Sequence, residues 1–337
     1  MTAKKRKWWK VAVVILIAVI LVVFFRDSFA EGLREILKVP AETVVFLLCL
    51  SMGYFLAEGG VIAVLARSYT NTASYRNGVA CALYCSFFRL ITFGSGSGIA
   101  EVYYLNRQGM KAAEATGMSL VQYLIQKITI CLIGAVSFFF CFRYVSQYIG
   151  DYQGYIALAV LITMVIGAGI LMITVFEKGK DLLFHYLSKA TAGKESWNDK
   201  VKKAEGQADI LQDGAKKLYH KKHCLALAFV LNLAKYFCWF LTPYVLYGDE
   251  ERLTLLVSLV LMALATMVAG VIPTPSGYGS LDVMIILLFY PLLGEAKAVS
   301  LVILYRVVVS LFPFLMGMLV AARPLREQRE LEAGRKN

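Results

Sequence analysis

The sequence predicts an all-α, polytopic membrane protein with re-entrant or broken helices and an internal inverted repeat. Three observations carry that prediction. Of 337 residues, 59% are hydrophobic and only 17% charged, with a mean hydropathy of +0.64, against about 45–50% apolar and about 25% charged in a soluble domain. Apolar runs recur from Val11 to Val320, and a run of about 18 or more such residues is long enough to span a bilayer. Finally, two glycine-rich stretches, ITFGSGSGIAEV and IPTPSGYGSLDV, each interrupt that apolar text.

The runs read as helices at 8–25, 41–66, 77–93, 112–142, 154–176, 223–247, 253–272, 281–293 and 297–322. The first follows MTAKKRKWWK without a small-residue cleavage site, so it reads as an anchor rather than a signal peptide. FFRDSFAEG after it reads as a helix exit, and Pro313 as a kink. Lys and Arg number five before Val11, eleven (all Lys) in residues 177–222, and five after Ala322, whereas 247–252 carries Asp249, Glu250 and Glu251 against Arg252. The positive-inside rule then places both termini and the 177–222 linker in the cytoplasm and 247–252 outside. Nine crossings would put the linker on the wrong face. Parity is restored if residues 77–111 enter and return, which suits a 77–93 run of only 17 residues, about 25 Å of helix, ending in FGSGSG.

The linker is the main polar segment of one integral domain spanning 1–337. Val201, Ala208, Leu211, Ala215 and Leu218 recur at helical spacing among its lysines. They fit either an amphipathic helix on the membrane surface or a solvated connector. The net charge of +12 flanks apolar runs, which favours membrane orientation over nucleic acid. The seven cysteines lack metal-ligand spacing, and His220 and His223 lack a third ligand, so neither metal nor cofactor is expected.

Aligned without a gap, the two glycine stretches match Ser95, Gly96, Gly98 and Glu101 to Ser276, Gly277, Gly279 and Asp282. Paired Gly/Pro interruptions in the two halves of a membrane chain point to a midplane binding site. A helix starting after Gly98 or Gly279 exposes N–H groups suited to an anion, with Glu101 or Asp282 in its first turn. The plainer reading is that these carboxylates only cap their own helices. Glu58, Arg89, Lys127, Lys235 and Arg306 also fall within apolar runs. A charge at the bilayer centre costs about 2.5–3.5 kcal/mol or more, so each should meet a partner or a wet cavity. The excess of cations suits an anionic head group, with Arg306 as the strongest phosphate ligand and Glu101 or Asp282 as its counter-ion.

ARSYTNTASYRNGVACALY, FGSGSGIAEVYYLNRQGM, IPTPSGYGSLDVM and LYRVVVSLFP together resemble the transmembrane, flippase-like region of the lysylphosphatidylglycerol synthase family, the multiple peptide resistance factors. The third is similar to a Pro-x-Pro-Gly-Gly-x-Gly-x-x-Glu signature, matched by Pro273, Pro275, Gly277 and Gly279, with Ser276 for a glycine and Asp282 for Glu. Arg306 matches an arginine common in the family's last helix. Gln126-Lys127 stands where a Glu-Arg pair is often found.

The resemblance implies a bacterial cell membrane protein that moves phosphatidylglycerol or its aminoacylated form between leaflets, conferring resistance to cationic peptides. Arg89, Lys127 and Arg306 would hold phosphate. Glu58, Glu101 and Asp282 would meet an aminoacyl cation or balance the basic groups. A separate lipid-modifying enzyme and a second copy of the chain are allowed as partners. The cytosolic lysyltransferase domain implied by the family name is not expected, because only fifteen residues follow the last run. An ion-coupled small-solute transporter is the competing class.

Overall fold

A computed structural model describes residues 26–70, 73–92, 94, 96–141, 153–175, 180–181, 184–186, 188–189, 195–219, 221–270 and 279–322. The expected 8–25 anchor and residues Ser95, Pro275, Ser276 and Gly277 lie outside these. Among the described residues every regular element is helical.

Helix α1 (Arg26–Lys38) occupies what the sequence suggested was a helix exit. Its Gly32 packs so closely on Val299 and the Ala296 carbonyl that a Cβ would lie 3.0 Å from Val299, so tertiary packing extends the helix beyond its apolar run. Pro40 stops it and starts α2 (Ala41–Ala66), whose 26 residues give about 39 Å of helix, more than a bilayer core needs. Ser74 caps α3 (Tyr75–Ile91) by accepting from the Asn77 N–H at 3.2 Å. Gly78 of α3 meets Gly59 of α2, where a Cβ would strike the opposing backbone. That close approach turns the preceding residue, Glu58, into the interior.

Chain reversal after α3 uses Gly94, whose φ of +94° suits glycine, and Thr92, whose Oγ1 accepts from the Gly96 N–H at 2.8 Å. Helix α4 (Ser97–Arg107) then folds back, with Tyr84 and Tyr104 rings 5.3 Å apart. Its 11 residues reach about 16 Å, half a hydrocarbon core. The helix therefore begins at Ser97 rather than after Gly98, and Glu101 sits in its second turn, not its first.

Helix α5 (Ala112–Val136) continues into a π turn, Ser137–Cys141, and α6 (Gln153–Val175) packs beside it. Helix α7 (Glu195–Tyr219) covers much of the polar linker. It docks on the bundle: a Cβ on Gly214 would lie 2.8 Å from the Gly117 carbonyl of α5, and the Tyr69 hydroxyl donates to Gly214 O at 3.2 Å. Burial pushes the Tyr69 phenol up to about 12, so it remains a donor at neutral pH. The helix expected among these lysines is present, and it packs on α5.

Helix α8 (Lys222–Phe240) lies along α2 and passes into α9 (Thr242–Tyr247) at Pro243. Thr254 caps α10 (Leu255–Ala269). Helix α11 (Ser280–Arg306) joins the expected 281–293 and 297–322 runs, broken at Gly294 by a φ of +74°. A π turn (Val307–Leu311) and α12, residues 312–322, complete the described chain.

Lys297 pairs with Glu250, so the acidic turn, Gly294 and α1 share one end of the bundle. Residues 67–70, 73–75, 107–112 and α7 share the other, where Lys221 Nζ donates to Ser68 O at 3.1 Å. Both ends of the α3–α4 hairpin thus lie at the α7 end. Two apolar cores result, one around α2–α5 and one around α10–α11, with Trp239 of α8 packed against both.

Among the described residues, four helical stretches are long and apolar enough to cross a membrane: Ala41–Ala66, Ala112–Cys141, Lys222–Tyr247 and Ser280–Ala322.

Candidate functional site

Between the cores lies a cavity of about 490 Å³, within the range of about 300–1,000 Å³ usual for small-molecule sites. The first hairpin lines it with Gly94, Ser97, Gly98 and Glu101, and α10 adds Thr266. Arg89, in the last turn of α3, lines it too, where the helix dipole favours a cation. Arg89 also borders a smaller recess of about 80 Å³ with Arg306, Leu281, Tyr305 and Trp239. Arg89 and Trp239 line both, so residues of the first glycine stretch and the two arginines border adjoining interior spaces.

Two ion pairs frame it. Lys235 is fully buried and donates to Glu58 Oε2 at 2.5 Å. The other Glu58 oxygen accepts from Gln122 Nε2 at 3.1 Å and Gln126 Nε2 at 2.9 Å. Tyr54 and Tyr236 present their rings to the Lys235 ammonium at 5.5 Å and 5.1 Å, a cation–π arrangement that offsets part of the desolvation cost. In the second pair, Arg306 Nε donates to Asp282 Oδ1 at 2.6 Å. Asp282 Oδ2 accepts from the Gly279 N–H at 2.9 Å, capping α11 as the first turn predicts. Gly279 itself adopts φ +90°, open only to glycine at low cost. Asp282 is thus the counter-ion of Arg306, one of the two carboxylates the sequence offered.

Glu101 differs from its counterpart. Its Oε1 is buried without a hydrogen-bond partner among the described residues, as are Ser119 Oγ, Gln122 Oε1 and Trp239 Nε1. All four residues line the central cavity. Buried polar atoms are rarely left unpaired, and these four face a cavity wide enough for water or a ligand to pair with them.

Gly96 is tucked against Thr92, where a Cβ would lie 2.7 Å from the side chain, whereas Gly98 and Gly279 have open space. Lys127 stands apart. It lines a separate apolar groove of about 230 Å³ between α5 and α6, 5.3 Å from the Tyr123 ring and beside Gly270 at the end of α10. Sequence reasoning did not single out Ser119, Gln122 or Trp239. The signal was present: polar residues at 119, 122 and 126 fall on one face of an otherwise apolar helix. Among the described residues no group of His, Cys, Asp and Glu could hold a metal.

An all-α, multi-pass membrane protein is the class that fold and composition define. Within it, the chain belongs to the family of the lysylphosphatidylglycerol synthase TM region, whose sequence model matches residues 8–317. No curated protein matched the chain. Where that family often carries a Glu-Arg pair, Gln126 instead hydrogen-bonds Glu58, and Lys235 of α8 supplies the cation.

Proposed function

We propose that this protein is a lipid translocase, taking a phospholipid head group into the central cavity and passing it between leaflets. The observation that carries this is the cavity of about 490 Å³ with unpartnered polar atoms and Arg89 at its wall, bordered by the first glycine-rich hairpin. Family membership supports a membrane phospholipid as the substrate class, with phosphatidylglycerol or its aminoacylated form as the candidate. Arg89 and Arg306 are the phosphate ligands of this reading, because guanidinium engages phosphate through parallel hydrogen bonds. Asp282 holds Arg306 when no lipid is bound and yields it to phosphate. Both termini and α7 are cytoplasmic, as the lysine distribution favours.

The test uses purified protein in vesicles with fluorescent phosphatidylglycerol and a membrane-impermeant quencher. The reading expects the protected inner-leaflet fraction to become accessible in wild-type vesicles, and Arg306→Lys to slow that loss. Protection that persists for hours in wild-type vesicles would overturn the proposal.

A further inference from the structure

We infer that the cavity holds a monovalent cation between Glu101, Ser119 and Gln122. The proposal does not depend on lipid transport. The amide nitrogen of Gln122 is committed to Glu58 at 3.1 Å, so its carbonyl oxygen must face away from that carboxylate. Gln122 is only 3% exposed, and this oxygen has no partner among the described residues. Ser119 precedes it by one turn on the same face of α5, beside the Glu101 carboxylate, and its Oγ is buried without a well-aligned partner. Glu101 approaches from α4 and brings a third unpartnered oxygen to the same cavity.

Oxygen donors without nitrogen or sulfur select a hard cation. Charge sets its valence. Lys235 neutralises Glu58 and Arg306 neutralises Asp282, leaving Glu101 as the carboxylate whose buried oxygen has no hydrogen-bonded cation. Arg89 at the cavity wall adds positive charge, which disfavours a divalent ion. An alkali ion and a protonated primary amine share the remaining chemistry: one positive charge and a preference for three converging oxygens.

Thermal unfolding of the full chain in detergent, without added lipid, tests the site. Sodium, lithium, potassium and methylammonium chlorides are compared with choline chloride at equal ionic strength. The inference expects at least one small cation, at about ten times its Kd, to raise Tm by roughly 2 °C over choline. It also expects that rise to vanish in Glu101→Gln and in Ser119→Ala. Stabilisation by an alkali ion assigns the site to free metal; stabilisation by methylammonium alone assigns it to an amine on a head group. Equal Tm in all five salts, or a rise that survives both substitutions, overturns the inference. If Glu101→Gln does not fold, the milder Ser119→Ala decides the point. Because lipid is absent, a negative result here leaves the vesicle assay to judge translocation separately.

Discussion

Lys235 is sealed against solvent with Glu58 2.5 Å away, and two glutamines hold the far carboxylate oxygen. Removing one member strands the other's charge. We expect Lys235→Met or Glu58→Gln alone to cost about 3–5 kcal/mol, and the double variant to recover much of that loss, since a buried pair is often replaceable by apolar groups of similar volume. Thermal unfolding of the three variants checks this; additive losses in the double variant would show that the two side chains act separately. Arg306 has a more specialised geometry. Arg306→Lys keeps the charge that balances Asp282 but loses the planar fork, so phospholipid binding should weaken several-fold while Tm stays near wild type. Binding of labelled phosphatidylglycerol in detergent checks it, and undiminished affinity would make Arg306 a structural cation. Gly279→Ala forces a Cβ into φ +90° and should destabilise by about 1–3 kcal/mol, although the space around it is open.

At the level of elements, the two hairpins share a plan and differ by a small shift that the aligned sequences concealed. Thr92 catches the Gly96 N–H, so α4 starts at Ser97 and Glu101 becomes its fifth residue. Helix α11 starts at Ser280, and Asp282 is its third, where a carboxylate caps. One acid is therefore consumed by its helix and the other is left for the cavity. A similar angular offset explains Lys127: it follows Gln126 by one residue, about 100° around α5, and so faces α6 rather than the interior. The π turn after Arg306 carries a further device. In that turn the Val308 carbonyl would pair with the N–H of residue 313, which is proline and has none. Ser51 of α2 donates to that carbonyl instead, at 2.6 Å. Ser51→Ala should thus cost about 1–3 kcal/mol by leaving a buried acceptor unmade, measured as a loss in Tm. A neutral outcome would mean that the π turn relaxes without it.

Across the whole molecule, the sequence foretold α2 to the residue, the hairpin turned at FGSGSG, the break near residue 294 and the pairing of Arg306 with a glycine-stretch acid. Those features rest on apolar run length and on glycine, which act locally. It did not foretell α1, the docking of α7 or the Glu58–Lys235 pair, because each depends on contacts across the chain: Gly32 with Val299, Gly214 with Gly117, α2 with α8. The placement of residues 67–70, 73–75, 107–112 and α7 at one end, opposite the acidic turn, makes sidedness testable. Lys202→Cys should react with an impermeant thiol reagent only from the cytoplasm and Glu251→Cys only from outside, in a background where the other cysteines are replaced. The reverse pattern would invert the molecule. The most direct measurement is leaflet exchange of fluorescent phosphatidylglycerol in vesicles holding the purified chain, with sodium on both sides and no gradient. Loss of the protected inner-leaflet signal within minutes in wild-type vesicles, slowed by Arg306→Lys, is the predicted result. Protection indistinguishable from that of protein-free vesicles would contradict a cavity that carries phospholipid head groups across the membrane.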